Sequence, residues 1–471
     1  MSVYRVVSLA SLIGVLISGS ACAAETQAPA AGEAVAKHVG LQTLDWFIIA
    51  VYAGSTIGLG WYFGRKQRTT KEYFVGSGNM NPVLVGISLF ATLLSTISYL
   101  SMPGEALGKG PVGLASLAAI PFVYMIVAYW LIPIYMKQRV TSAYELLEGR
   151  LGLRIRLLGA CMFLALRLVW MSLLVYLAAK AMTVMIGVDY WTIRFSGSDQ
   201  FITSVRGPVN WIVQFQESGI DVASVPVIVL FTGLVSVIYS SIGGLRAVVI
   251  TDLMQTILLF GGALLVIATV TYDFGGFGWF PTRWEPNWDT QPFFDFDPRT
   301  RVTLVGTLLT TLVWYVATAG GDQTSVQRFM STRDANAARR ALLSQLCVGV
   351  VVSITLYLVG FSLLGYFQAH SDALPAELSV GESADKLFPH FIAFHLPMGV
   401  SGLVVAAMFA AAMSSIDSGV NSITAVVTTD FLDRFGIQPK TEKGHLRAAK
   451  LLAFSIGAAV VVGSSFMKLI E

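Results

Sequence analysis

Apolar runs long enough to cross a bilayer recur at residues 44–64, 82–107, 112–136, 153–186, 224–241, 247–271, 302–321, 340–366, 398–429 and 449–467, a hydrocarbon layer requiring about 20 residues of helix. The pattern predicts ten membrane-spanning helices joined by polar segments. One run differs from the rest. Residues 81–104, NPVLVGISLFATLLSTISYLSMPG, are apolar at both ends but carry Thr92, Ser95, Thr96, Ser98 and Ser101 in the middle, with Pro103 and Gly104 closing the stretch. Such a breakable centre is tolerated at membrane depth only where freed backbone groups face protein or a wet cavity. Interrupted spans of this kind mark the binding sites of secondary transporters. The plainer alternative is a Ser/Thr-rich packing helix.

Composition agrees with the pattern. The chain has 471 residues, 55% hydrophobic and 13% charged, with a mean hydropathy of +0.68, which marks an integral membrane protein. The formal net charge of +3 identifies no partner by itself. No nucleic-acid footprint is present, and no protein partner is inferable. Cys22, Cys161 and Cys347 lie in separate hydrophobic stretches and form neither a disulfide framework nor a metal cage.

The N-terminus combines Arg5, the apolar run VVSLASLIGVLISGS and the triplet Ala21, Cys22, Ala23. It reads as a cleavable signal peptide over residues 1–23, followed by an external tail over 24–43 and the membrane domain over 44–471. With the mature chain starting outside, the segments 65–81, 137–156, 242–246, 328–340 and 430–450 fall in the cytoplasm. They hold nineteen Lys and Arg, against eight on the external loops and Lys37 in the tail. The positive-inside bias therefore agrees with the signal peptide and places a multi-pass protein in the cytoplasmic membrane. A short external helix is expected over residues 384–395.

Several stretches resemble the sodium:solute symporter family. SIGGLRAVVITDLMQTILLFGG at 241–262 is similar to the family signature. TTKEYFVGSGNM at 69–80, PIYMKQRVTSAYELLEGRLG at 133–152, VQRFMSTRDANAARRALL at 326–343 and AAAMSSIDSGVNS at 410–422 match further family segments in order. The motifs are closer to the iodide, multivitamin and monocarboxylate branch, and to bacterial sialic-acid symporters, than to glucose carriers. The resemblance implies an all-α LeuT-type fold of two inverted repeats with one extra N-terminal helix. Its discontinuous helices would be 82–107 and 302–321, the second broken at Gly320 and Gly321. The second repeat shows four helices where five are expected, so the last core helix is missing from the pattern.

The resemblance also implies a sodium ion as coupling ion. It is held by the carbonyls of Ala91, Leu94 and Ala411 and the hydroxyls of Ser414 and Ser415, an oxygen-only set that suits a small hard cation. Asp252 would lie on the sodium exit path or in a second sodium site, with Asp417 nearby. A carboxylate inside a span costs about 2.5–3.5 kcal/mol and normally faces a cavity or a cation. A pairing of Asp417 with a Lys or Arg at the cytoplasmic end is the structural alternative.

Arg167, in FLALRLVWMSLL, stands in mid-span, where an arginine has a partner or a function; its planar fork suits a carboxylate. Structural partners would be Asp252, Glu105 or a carbonyl. Leu93, Leu117, Ile120 and Trp170 replace the polar positions of the family's galactose carriers. The expected solute is accordingly a small organic anion, with a sugar as alternative. Ser95, Ser98, Thr318 and Gln323 would supply polar contacts, and Trp314 and Tyr315 the wall. A transporter-like sensor is a further alternative. An enzyme is not expected, since neither a Ser-His-Asp set nor a metal-ligand cluster nor a nucleotide loop stands at a suitable depth.

Overall fold

The computed structural model describes residues 41–186, 190–194, 213–216, 219–374 and 378–469, less 66, 68, 77, 382 and 438. The expected signal peptide and residues 24–40 of the tail lie outside the described residues. The helices are α1 (Thr43–Gly64), α2 (Thr70–Val75), α3 (Pro82–Leu93), α4 (Thr96–Lys109) and α5 (Pro111–Gln138, with 3-10 and π turns inside it), followed by α6 (Glu145–Leu151), α7 (Leu153–Ile186) and α8 (Ser224–Asp273). The second part holds α9 (Leu304–Gly321), α10 (Gln323–Met330), α11 (Ala335–Ala369), α12 (Ala384–Phe394), α13 (Val400–Val426, continued as a π-helix through Asp433) and α14 (Glu442–Phe466).

Among the described residues, eight helices and one bent pair are long and apolar enough to cross a membrane. The longest, α8, is two spans. Gly244 has φ 57° and ψ −168°, and the Gln255 amide reaches the Tyr239 hydroxyl at 3.3 Å. Those residues would stand about 24 Å apart on a straight helix, so the chain reverses at Gly244. That makes ten crossings. A side chain at Gly244 would also collide with the Tyr73 ring and carbonyl at 2.7 Å.

The bent pair is α3 and α4, which meet at 72° across Leu94 and Ser95. The run at 81–104 is therefore broken in its hydroxyl-rich centre, whereas Pro103 lies inside α4. The second interruption falls at Asp322, not at Gly320 and Gly321, which stay in α9. Asp322 has extended dihedrals and its carboxylate accepts the Thr324 amide at 2.7 Å. A capping carboxylate sets this break, because it satisfies a backbone donor at the start of a new helix, while glycine merely weakens helix.

The α13 helix is the central post of the bundle: 89% of its most apolar window is buried, against 6% for α9. Asp45 of α1 caps the post, its Oδ1 accepting the amides of Gly399 at 2.8 Å and Gly402 at 2.9 Å. Contacts across loops divide the molecule into two ends. Residues 139–156, 323–334 and 430–445 meet at a basic face. Residues 105–109, 285–301, 366–374 and 390–402 gather at the opposite face. At this opposite face lies a three-stranded antiparallel sheet of order β1–β3–β2, built from Tyr190–Arg194, Val213–Gln216 and Gly219–Ala223.

Candidate functional site

At the first break the α3 helix ends because Leu94 leaves helical geometry (φ −84°, ψ 101°), and Ser95 starts α4 as its cap, accepting the Ser98 amide. The last turn of α3 is thereby freed for other partners. The Ser414 hydroxyl, on the central post, donates to the Ala91 carbonyl at 3.0 Å and lies at the same distance from the Ala411 carbonyl. The Ser415 hydroxyl reaches the Ala411 carbonyl at 3.4 Å. Ala91, Ala411, Ser414 and Ser415 are all buried. Four of the five oxygens expected to hold sodium therefore lie together, and Leu94 stands at the break beside them in sequence. Thr96, on the far side of the break, ties to the post through the Met408 carbonyl at 3.1 Å.

Towards the basic face lies a buried polar network. Asp252, Asp417 and Arg328 are all fully buried. The Ser88 hydroxyl donates to Asp252 at 2.5 Å, and Arg328 reaches Asp252 at 3.4 Å, Ser88 at 2.8 Å and Ser418 at 2.5 Å. Thr92 shares a hydrogen bond of 2.8 Å with Ser418. Asp417 accepts from the Tyr239 hydroxyl and, at 3.2 Å, from Ser418. Arg328 thus pairs with Asp252 directly and meets Asp417 through Ser418, so two buried carboxylates stand near one guanidinium. Asp252 Oδ1, Gln255 Oε1 and Asn421 Oδ1 are buried acceptors without a hydrogen-bond partner. Gln255 is three residues after Asp252 and Asn421 four after Asp417, so each pair lies on one helical face. Uncompensated acceptors and an excess carboxylate are the electrostatics a cation or water would satisfy.

Arg167 pairs with Asp322 at the second break, 3.6 Å away, and its Nε is buried without a partner. The carboxylates expected as structural partners are engaged elsewhere: Asp252 with Arg328, and Glu105 with Arg301 at 3.0 Å. The remaining solute candidates separate into groups. Ser95 and Ser98 lie at the first break, half-buried, with their hydroxyls 3.4 Å apart. Thr318 belongs to the last turn of α9, its carbonyl accepting the Asp322 amide. Tyr315 packs against the apolar cluster around α5 and α11, while Trp314 is 60% exposed. Gln323 is fully buried, with both ends of its amide bonded to backbone at residues 141–143.

Arg328, Ser88, Ser418 and Tyr239 belong to the network but were not singled out from the sequence. Arg328 reads there as one of the basic residues of the segment 328–340. The available signal was charge balance, since two carboxylates inside spans require a nearby cation.

Comparison with known proteins accords with this geometry. The sequence model of the sodium:solute symporter family matches residues 73–197 and 219–467. The sodium/sialic acid symporter SiaT of Proteus mirabilis (strain HI4320) is 27% identical over 431 residues, covering 88% of this chain and 76% of that protein. The sodium-coupled monocarboxylate transporter 2 of Homo sapiens is 26% identical over 82% of this chain, which spans 58% of that protein's length. A solved structure described as the substrate-bound outward-open state of a Na+-coupled sialic acid symporter superposes with a TM-score of 0.74 at 25% identity, covering 91% of this chain and 83% of that one. These neighbours are transporters, not enzymes. The chain, a multi-pass membrane protein with a broken first core span facing a serine-bearing post, belongs to the sodium:solute symporter family, whose coupling ion is sodium.

Proposed function

We propose that this protein moves a small organic anion together with sodium by alternating access, with the basic face in the cytoplasm and the N-terminus outside. Sodium sits among the Ala91, Leu94 and Ala411 carbonyls and the Ser414 and Ser415 hydroxyls. Asp252 and Asp417 form a second cation position or the route by which the ion leaves. Ser95, Ser98 and Thr318 offer polar contacts to the solute, whose wall includes Tyr315 and Trp314. The observation that carries the anion reading is the incomplete pairing of Arg167: a side chain only 14% exposed, with one 3.6 Å contact to Asp322 and an unpartnered Nε. A planar carboxylate could take up its free donors in a bidentate pair. Similarity to sialic acid and monocarboxylate symporters supports the same solute class.

The test is solute uptake into proteoliposomes under an inward sodium gradient, with choline replacing sodium as control. Monocarboxylates and acidic sugars are expected to accumulate in sodium only, and neutral sugars not at all. Arg167→Ala should lower acid uptake by about tenfold or more, the equivalent of one charge-assisted hydrogen-bond pair. Sodium-dependent accumulation of neutral sugars that is indifferent to Arg167→Ala overturns the anion reading.

A further inference from the structure

Gln323 is a polar side chain buried at the start of α10, and both ends of its amide bond to one short segment. Its Oε1 accepts the Ala143 amide at 2.7 Å, and its Nε2 donates to the Thr141 carbonyl at 2.8 Å. That segment, residues 139–144, links α5 to α6. It opens at Arg139, which among the described residues is the one non-glycine residue with a left-handed backbone, φ 52°.

The residue between those two contacts faces another helix. Ser142, fully buried, donates to Asp430 at 2.5 Å, and Asp430 is fully buried in the π-helical end of the central post. Asp430 also takes the guanidinium of Arg156 at 2.6 Å, and Arg156 reaches Glu148 at 2.5 Å. Glu148 in turn pairs with Arg434 at 2.7 Å. Glu145 holds the segment in shape from below, accepting the Thr141 and Ser142 amides at 3.0 and 2.7 Å. Three consecutive residues are thus gripped from two sides, by Gln323 next to the second break and by Asp430 on the helix that bears Ser414.

We propose that residues 141–143 form a polar clasp across the basic face, with Gln323, Ser142 and Asp430 as its positioning residues. While it holds, the α10 end of the second broken span cannot part from the end of the central post. Solute and sodium leave on this face only when one grip lets go. The clasp suits such a switch because its bonds are buried and discrete, so the contact is either made or broken. None of its groups lies among the proposed sodium ligands, and the clasp stands whether or not the solute is an anion.

The test is chemical accessibility in the full chain, reconstituted in liposomes, with Cys22, Cys161 and Cys347 replaced by Ser. Thr324→Cys places a thiol at a buried position on α10 beside the clasp, and Ala106→Cys places a buried control thiol near the opposite face. A membrane-impermeant maleimide is applied to the basic face for the first and to the opposite face for the second. Gln323→Ala, Asp430→Asn and Ser142→Ala should each raise labelling at position 324 by about fivefold to tenfold, as the loss of one or two buried hydrogen bonds implies. Labelling at position 106 should not change, and Ser142→Thr, which keeps the hydroxyl, should retain the parental rate. Unchanged labelling at 324 overturns the proposal. An equal rise at both positions also overturns it, since the substitutions would then loosen the whole fold.

Discussion

The Ser414 hydroxyl and the Ala91 carbonyl meet at 3.0 Å, joining the buried post α13 to the last turn of the first broken span. The interruption at Leu94 and Ser95 leaves the Ala91 carbonyl without the amide that residue 95 would present in a continuous helix, so the hydroxyl takes the place of a backbone donor. In the proposed site a bound sodium ion takes the oxygen lone pairs, and the hydroxyl proton turns elsewhere.

Ser414→Ala removes a proposed sodium ligand and leaves the Ala91 carbonyl without its hydroxyl partner. The sodium concentration for half-maximal uptake should rise by about tenfold, the effect of about 1.4 kcal/mol. Ser415→Ala should have a smaller effect, because Ser415 makes only the longer contact to Ala411. Uptake measured against sodium concentration checks both, and unchanged activation curves would remove these hydroxyls from the site.

Arg328 is the counter-charge of two buried carboxylates, so Arg328→Met should destabilise the protein by about 3–5 kcal/mol. Adding Asp252→Asn should restore much of the loss, since the uncompensated charge is then gone. Unfolding midpoints of the purified protein, with and without sodium, separate the cases. The single variant should gain more from sodium than the double variant. A double variant no more stable than the single one would show that packing, not charge, sets the cost.

A pH response is expected at α12 and the histidine that follows it. Burial holds the imidazoles of His390 and His395 below the usual histidine range, and His395 is further disfavoured as a cation by His390 and His370. Tyr366 lies 3.3 Å from His395, while Asp273 pairs with His370 at 3.6 Å and the Ala373 backbone contacts both lowered histidines. A base whose folded pKa is depressed is protonated first in the unfolded state, so stability is full above about pH 6.5 and falls as acid is added below it. Amide exchange over residues 384–395, corrected for its intrinsic pH dependence, should quicken between about pH 7.5 and about pH 5.5. His390→Phe with His395→Phe should abolish the difference, and exchange that does not respond to pH would exclude the histidines as its source.

Much of the fold was legible because a bilayer imposes a length on every helix. The span predicted at 153–186 is α7 to the residue, and the short helix predicted at 384–395 is α12. The first break was legible from its hydroxyls. The second falls at the residue just after the expected glycines, because glycine announces weak helix whereas a cap announces a new one, and Asp322 reads as an ordinary charge until Thr324 is seen above it. Arg328 was obscured for a related reason, since a basic residue at a membrane boundary reads as solvated, while Gln323, expected to contact solute, is instead tied to the backbone at Thr141 and Ala143. Their burial comes from the packing of α10 beneath the post, a tertiary contact with no periodicity of its own.

Gly244 has a mechanical consequence. The two limbs of α8 are joined by a single residue wedged against Tyr73, with no slack of loop between them. The limb that carries Asp252 cannot slide along its axis without dragging the limb that carries Tyr239. Any stroke that moves one carboxylate of the buried network is therefore transmitted, like motion through a stiff elbow, to the tyrosine holding the other.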